Sequence, residues 1–281
     1  MSTYADVKTQ TIEAANGVTY AYRSLGDETD GRPLVLLQHF RGNLDNWDPA
    51  LIDALAQGRR VVTFDNRGVG ATTGSTPHTV TAMAEDAVEF ITALGLTRID
   101  LLGFSLGSFV AQEVALLRPD LVNRLVLAAA APQGAPDMHG WASEVIAAVG
   151  GEVPSAEGYV RVFFTSAEVG QTVAGRVFGS RVDGHDAPTT WETRLAQYDA
   201  VAQWGIPNHA QLERLRGITQ PVFVANGDSD PMILPRYSHL LAGLLPNAAI
   251  KIYPDAAHGF LFQHYQEFSG DVAAFLEEQI R

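Results

Sequence analysis

The first feature of this sequence that could carry chemistry is a serine between two glycines, in the pentapeptide GFSLG at 103–107. It follows a short apolar run, 99–102, and precedes a segment with helical periodicity. At a sharp turn from a strand into a helix, glycines relieve crowding and the serine hydroxyl is exposed above the sheet. The N-terminus of the following helix favours negative charge at that serine. The pattern therefore predicts Ser105 as a nucleophile.

A serine hydroxyl reacts when a base takes its proton, and the base needs a carboxylate that fixes its tautomer. Downstream, an apolar run at 222–225 leads into the turn NGDSD at 226–230, which offers two carboxylates. A further run, 249–253, leads into PDAAHG at 254–259, which offers His258. The order serine, aspartate, histidine, each beyond the carboxyl end of a strand, predicts a catalytic triad.

Two members of this triad have alternatives. Asp228 lies two residues before Asp230, and either carboxylate could serve as the acid. His264 is an alternative base to His258, but it falls inside a helix predicted at the C-terminus. We expect His39 to hold a loop in place rather than to take part in the reaction.

The elements that position these residues follow from hydrophobic periodicity. Short apolar runs alternate with amphipathic segments, which is typical of a mainly parallel sheet covered on both faces. Segments 9–14 and 18–25 flank an Asn-Gly pair and predict an antiparallel hairpin. Apolar spacing predicts helices over 79–94, from 106 to 118, and near the C-terminus. The remaining strands are predicted at 34–38, 60–64, 99–102, 124–127, 222–225 and 249–253.

Residues 132–216 break this rhythm of strands and helices. They contain no convincing strand but hold apolar periodic stretches and three of the four tryptophans, Trp141, Trp191 and Trp204. We therefore predict a helical cap over 132–216, inserted into a catalytic core formed by 1–131 and 217–281.

Composition excludes several classes of function. A chain of 281 residues that is 46% hydrophobic and 18% charged can bury a sizeable core. A net charge of −13 argues against nucleic acid and anionic membranes as partners. The sequence has no cysteine, which excludes disulfides, thiolate metal sites and cysteine nucleophiles. With no apolar run of about 18 residues and no signal-like N-terminus, we expect a cytoplasmic protein.

Five ordered motifs together resemble the α/β-hydrolase superfamily. They are QHFRG at 38–42, DNRGVG at 65–70, the serine pentapeptide, the turn at 227–230 and His258. The resemblance is to the serine-nucleophile branch, near bacterial esterases, enol-lactonases and cofactor-free perhydrolases. It implies a mostly parallel eight-stranded sheet flanked by helices, with a helical cap insertion. It also implies that the last residue of the G-x-x-D turn is the acid, which selects Asp230.

The resemblance further implies an oxyanion hole made of two backbone amides. One belongs to Leu106, directly after the nucleophile, and the other maps to Arg41 in the loop after the third strand. Phe40 stands where the family usually has glycine, so the Phe40 amide remains an alternative donor. Removing one such donor costs about 3–4 kcal/mol of transition-state stabilisation.

These residues predict hydrolysis of a small, largely apolar carboxylic ester or lactone through an acyl-serine intermediate. Perhydrolysis and a ligand-sensing role that keeps the triad are the alternatives. We expect no metal and no cofactor, because the histidines are dispersed and the GVG at 68–70 does not open a helix. The oligomeric state is open between monomer and homodimer. The candidates for lining the substrate pocket are Phe40, Trp141, Phe163, Phe164 and Phe260.

Overall fold

The structure is a computed structural model that describes residues 3–26, 32–138, 140–152, 156–179 and 189–278. Eight strands form one sheet in the order β1-β2-β4-β3-β5-β6-β7-β8. Strand β2 runs antiparallel to both β1 and β4, and every other neighbouring pair is parallel. The strands are β1 Gln10–Glu13, β2 Thr19–Leu25, β3 Leu34–Leu37, β4 Val61–Phe64, β5 Ile99–Phe104, β6 Val122–Ala128, β7 Val222–Gly227 and β8 Ala248–Tyr253.

Helices cover this sheet and fill the interval between β6 and β7. The described helices are α1 Pro49–Leu55, α2 Val80–Ala93, α3 Leu106–Leu117, α4 Ser143–Val149, α5 Ala156–Phe163, α6 Ala167–Gly179, α7 Trp191–Trp204, α8 His209–Arg214, α9 Pro235–Leu244, α10 Phe260–Gln263 and α11 Tyr265–Glu277. Two short 3-10 turns lie at Leu44–Asn46 and Leu215–Gly217.

The predicted mostly parallel eight-stranded sheet and its opening hairpin are confirmed. Each residue of β3, β4, β5, β6 and β7 is buried, as expected for strands covered on both faces. Helix α2 begins where the Thr79 hydroxyl accepts a hydrogen bond from the Ala82 amide. It ends before Gly95, whose φ of 72° suits a helix terminus.

The topology brings the candidate loops to one edge of the sheet. Strands β3, β5, β7 and β8 all point the same way, so their carboxyl ends meet at that edge. The loop after β3 carries 38–42, β5 leads into Ser105, β7 into the turn at 228–230, and β8 into the loop of His258. Residues far apart in sequence are thereby placed in one site.

Helices α4 to α8 are called the insertion helices below. Within the described part of the interval between β6 and β7 there is no strand. The division of the chain into a core and a cap remains a prediction. In the described part of the chain, no helix combines the length and apolar character needed to cross a membrane.

Candidate active site

Ser105 occupies a strained turn between β5 and α3. Its φ of 56° and ψ of −121° lie in a region that residues with side chains rarely adopt. Such strain costs about 1–3 kcal/mol and persists where the surroundings enforce it. The Ser105 amide donates to the Ala128 carbonyl at 2.9 Å, which anchors the turn to the end of β6.

The two glycines of the pentapeptide are required by close backbone approach. A Cβ on Gly103 would lie 2.2 Å from the Gly107 carbonyl oxygen. A Cβ on Gly107 would lie 2.2 Å from the Leu37 carbonyl oxygen, at the end of β3. The first turn of α3 therefore packs directly against the start of the loop at 38–41. This contact brings the loop that could donate oxyanion amides to the side of Ser105.

Asp230 and His258 form a buried pair. Nδ1 of His258 lies 2.8 Å from Oδ2 of Asp230, and both side chains are at most 1% exposed. The second oxygen, Oδ1, accepts from the amides of Met232 and Ile233 at 2.8 and 3.0 Å. These bonds fix the carboxylate, and the carboxylate fixes the imidazole. Because a carboxylate accepts, Nδ1 carries the proton and the neutral ring has a lone pair on Nε2.

Nε2 of His258 is the end of this pair that is free to react. It is buried and has no hydrogen-bond partner among the described residues. Its ring packs at 5.1 Å from the rings of Phe104, next to Ser105, and Phe163. No hydrogen bond joins the Ser105 hydroxyl to Nε2 in this structure. In sites of this kind that bond often tightens when substrate binds.

Asp228 points to a different partner. Its carboxylate accepts from the amides of Asp255 and Ala256 at 3.0 and 3.2 Å, and from the Ser229 hydroxyl at 2.8 Å. Desolvation alone would raise the pKa of this exposed carboxylate, but these hydrogen bonds outweigh it and lower the pKa. Asp228 therefore holds the loop of His258, whereas Asp230 contacts the imidazole itself.

His39 lies near His258, but its Nδ1 has a different kind of hydrogen-bond partner. Nδ1 of His39 is 2.8 Å from the Phe40 carbonyl oxygen, so Nδ1 is the protonated nitrogen. Burial lowers the pKa of His39 to about 3, and the hydrogen bond to Phe40 offsets this only in part. The ring packs against Phe104 and Phe163 at 5.3 and 5.4 Å. His39 is thus a neutral side chain beside the rings that contact His258.

The candidate oxyanion amides differ in their present partners. Leu106 begins α3, so its amide is one of those left unpaired at a helix N-terminus. The Arg41 amide donates to Oε1 of Gln197 at 2.6 Å. The Phe40 amide has no hydrogen-bond partner in the described ranges. Arg41 also has a φ of 63°, so the loop turns sharply there.

Arg41 further ties this loop to the insertion helices through its side chain. Its guanidinium donates to the carbonyl oxygens of Val149, Gly151 and Glu152, at and just beyond the end of α4. The Arg41 carbonyl accepts from the Thr189 hydroxyl at 2.5 Å. Cationic side chains at a helix C-terminus satisfy carbonyls that the helix leaves unpaired.

The predicted pocket residues fall into two groups. Phe163 contacts His258, and Phe40 packs edge-on against Trp141 at 5.0 Å. Phe164 is buried next to Phe163 at the end of α5. Phe260, by contrast, is fully buried with its ring against Tyr253 and Phe268 at 5.1 and 5.5 Å. The contacts of Phe260 are core packing beneath the loop of His258.

His264, the alternative base, lies at the junction of α10 and α11 instead of within one continuous helix. Its Nδ1 is 4.0 Å from Glu267 and its ring is 5.8 Å from that of Tyr253. It forms no hydrogen bond or ion pair with Asp228 or Asp230. The structure therefore brings His258, and not His264, to the buried carboxylate.

Among the contacts between the insertion helices and the core that sequence reasoning missed, two lie at the loops of Asp48 and His258. Arg176 in α6 pairs with the buried carboxylate of Asp48 at 2.6 Å and donates to the Phe262 carbonyl. The Gly259 amide, next to His258, donates to the Phe163 carbonyl at 2.8 Å. Neither has a sequence signal, because an arginine or a glycine on an ordinary helix or loop predicts no particular partner. Within the described residues no histidines and carboxylates cluster as they would around a metal.

A family model described as alpha/beta hydrolase fold matches residues 32–265. The chain belongs to this family. The α/β hydrolase fold protein from Chitinophaga pinensis is 39% identical, with a TM-score of 0.91, covering 99% of this chain and 100% of that one. The enol-lactonase of Burkholderia xenovorans, at 22% identity and a TM-score of 0.79 over 96% of this chain and all of that one, shares the fold.

Curated relatives of this α/β hydrolase carry several names. A RutD protein of Caulobacter sp. strain K31, named for carbamate hydrolysis, is 29% identical over 89% of this chain and 92% of that one. A RutD protein of Rhizobium rhizogenes is 39% identical over 103 residues, which is 36% of this chain and 39% of that protein. BpoC of Mycobacterium tuberculosis, named for non-heme bromoperoxidase activity, is 28% identical over 84% and 90%.

Proposed function

We propose that this hydrolase cleaves a small carboxylic ester or lactone through an acyl-serine intermediate. The observation that carries the proposal is the buried bond from His258 Nδ1 to Asp230, which leaves Nε2 unprotonated and without a partner. Ser105 supplies the nucleophile, because its strained turn lies next to this pair and places its hydroxyl at the N-terminus of α3.

In the acylation step, the Ser105 oxygen attacks the carbonyl carbon of the ester while Nε2 of His258 takes the hydroxyl proton. The carbonyl oxygen becomes an oxyanion and is stabilised by backbone amides. When the tetrahedral intermediate collapses, the carbon–oxygen bond of the ester breaks and Nε2 returns its proton to the leaving alcohol. Asp230 stabilises the imidazolium throughout but keeps its own charge.

In the deacylation step, water attacks the acyl-serine while Nε2 takes one of its protons. Collapse releases the carboxylic acid and returns the proton to Ser105, so the enzyme is restored. A lactone follows the same steps, except that its alcohol stays attached to the acyl group until water releases the product. The Leu106 amide is one oxyanion donor in this proposal. For the second, the free Phe40 amide is available without rearrangement, whereas the Arg41 amide must first leave Gln197.

The substrate class follows from the surroundings of His258. The rings of Phe104 and Phe163 pack on its imidazole. Phe40 and Trp141 pack together at the loop 38–41, which is called the oxyanion loop below. Such walls favour an apolar substrate with few polar groups. The RutD relatives are named for carbamates, whose carbonyl can be attacked by the same serine, so carbamates belong in the same assay.

A panel of p-nitrophenyl esters of graded acyl length, with lactones and an aryl carbamate, tests this proposal. We expect sustained multiple turnovers on short acyl esters and loss of turnover in Ser105→Ala. A single turnover followed by arrest would instead indicate a ligand-sensing protein. Because BpoC is named for bromoperoxidase activity, the panel includes acetate with hydrogen peroxide, bromide and an organic acceptor for bromine. A halogenation rate in that mixture far above every hydrolysis rate would favour perhydrolysis.

A further inference from the structure

Gln197 is a fully buried polar side chain in the middle of α7, at the predicted oxyanion loop. Its Oε1 accepts the hydrogen bond from the Arg41 amide at 2.6 Å. Its Nε2 is buried and has no partner among the residues that the structure describes. A buried donor left unpaired is destabilising, so such a group calls for a partner.

The orientation of this carboxamide follows from hydrogen-bonding chemistry. A backbone N–H can only donate, so the atom that faces Arg41 must be the oxygen of the amide. The NH2 group must then occupy the other position. The free end of Gln197 is therefore a hydrogen-bond donor, and a ligand that satisfies it must offer an acceptor.

Arg41 holds this donor in a fixed place. The Arg41 carbonyl is bonded to Thr189, and its guanidinium is bonded to carbonyls around the end of α4. Arg41 itself follows β3, whose last residue, Leu37, abuts the first turn of α3 beside Ser105. The Gln197 amide is thus supported from the loop next to the nucleophile. Donors held rigidly by their surroundings discriminate between substrates better than mobile ones.

We propose that Nε2 of Gln197 donates a hydrogen bond to the acyl part of the substrate and so selects acyl groups that carry an oxygen near the scissile carbonyl. This inference rests on the proposed ester hydrolysis. The leaving alcohol must lie against His258, which returns its proton. Gln197 is bonded instead to the oxyanion loop, which in the proposed mechanism lies against the carbonyl and its acyl substituent.

Two p-nitrophenyl esters of matched shape test the selection, the butanoate and the methoxyacetate. They differ by one CH2 replaced with an ether oxygen. For each protein we take the ratio of kcat/KM for methoxyacetate to kcat/KM for butanoate. The quotient is the ratio of the wild type divided by the ratio of Gln197→Met. Intrinsic reactivity of the two esters cancels in this quotient. We expect a quotient of about tenfold, the value of one hydrogen bond to a buried donor.

Two further variants separate substrate contact from loop support. Gln197→Glu keeps an oxygen for the Arg41 amide, and once ionised it has no proton to donate. Because burial raises the pKa of a carboxyl, its ratio is measured from pH 7 to pH 9, and at the alkaline end we expect it to fall as in Gln197→Met. Gln203→Met, at an exposed position on the same helix, should keep the wild-type ratio. If Gln197→Met does not fold, Gln197→Glu decides the question.

A quotient near one in a folded Gln197 variant, while the wild type cleaves both esters, would overturn the role of Gln197 and leave the proposed hydrolysis intact. A wild-type ratio retained by Gln197→Glu would show that Gln197 only supports the loop. Failure of the wild type to cleave either ester would count against the proposed function itself.

Discussion

Asp228 accepts a hydrogen bond from the amide of Asp255 at 3.0 Å, and this bond joins the turn after β7 to the loop that carries His258. A second bond joins the same two loops, from the Ser229 amide to the Ala256 carbonyl at 3.0 Å. The two carboxylates of one turn therefore have separate tasks. One holds the loop of the imidazole, and the other holds the imidazole.

Asp230→Asn is expected to lower kcat by about 10³- to 10⁴-fold on the best ester of the panel. The substituted amide can donate to Nδ1 and stabilise the tautomer that carries its proton on Nε2. Steady-state kinetics give the loss, and circular dichroism establishes that the variant is folded.

Asp228→Asn is the matched control, two residues away on the same turn. It removes the charge and keeps an oxygen for one of the two loop amides, so we expect less than a tenfold loss of kcat. A larger loss in Asp228→Asn than in Asp230→Asn would transfer the role of acid to Asp228. Ser105 and His258 would keep their assignments in that case.

His39 should make stability depend on pH. Its pKa is about 3 in the folded protein and about 6.5 when unfolded, so below pH 6.5 protons bind preferentially to the unfolded chain. Stability is therefore full above pH 6.5 and falls as the pH drops towards 3, by about 1.4 kcal/mol per unit. Between pH 7 and 5 this amounts to a loss of about 2 kcal/mol.

Urea unfolding of the wild type and His39→Asn at pH 7 and pH 5 measures this contribution. Asparagine keeps a donor for the Phe40 carbonyl but cannot titrate, so the difference in unfolding free energy between the two proteins should change by about 2 kcal/mol across that interval. An unchanged difference would mean that His39 is accessible to protons in the folded state.

An organophosphonate should add one equivalent of mass to the protein, on the peptide that contains Ser105. The reaction requires an activated serine, so labelling should be lost in His258→Ala as well as in Ser105→Ala. A chelator should leave ester turnover unchanged. Labelling of another peptide at comparable rate would reject Ser105 as the nucleophile.

The pair of Asp48 and Arg176 should couple the insertion helices to the core. Arg176→Met leaves the fully buried Asp48 carboxylate without its cation, and we expect a loss of about 3 kcal/mol in unfolding free energy. Asp48→Asn combined with Arg176→Met should cost less than the sum of the two single changes. Additive losses in this double-mutant cycle would show that the pair does not interact.

Sequence reasoning was most informative where interactions between residues close in sequence determine the structure. The apolar runs predict the strands, Thr79 and Gly95 mark the ends of α2, and the GFSLG pentapeptide predicts the turn at Ser105. Strand order then places the loops of Ser105, Asp230 and His258 at one edge, and the bond between Asp230 and His258 agrees with the choice of Asp230 over Asp228.

The contacts that sequence reasoning missed are long-range and made by residue types that serve many purposes. Gln197 lies 156 positions from Arg41 and has no local pattern that separates it from an ordinary glutamine on a helix. The family resemblance maps an oxyanion donor to the Arg41 amide. It does not reveal that this amide already donates to Gln197. Phe260 is an aromatic residue close to His258 in the sequence, which is why it was a candidate for lining the pocket. Its burial against Tyr253 depends on the path of the chain after His258.

The insertion helices are joined to several loops of the core, including those at Arg41, at Asp48, at Gly68 and at Gly259. A chimaera that exchanged these helices as a block would therefore remove one of the two partners of each bond. The new helices would have to offer carbonyls to the guanidinium, a cation to Asp48 and an acceptor to the Gly259 amide. Recombination between relatives should yield working enzymes only when both sides of each junction are inherited together.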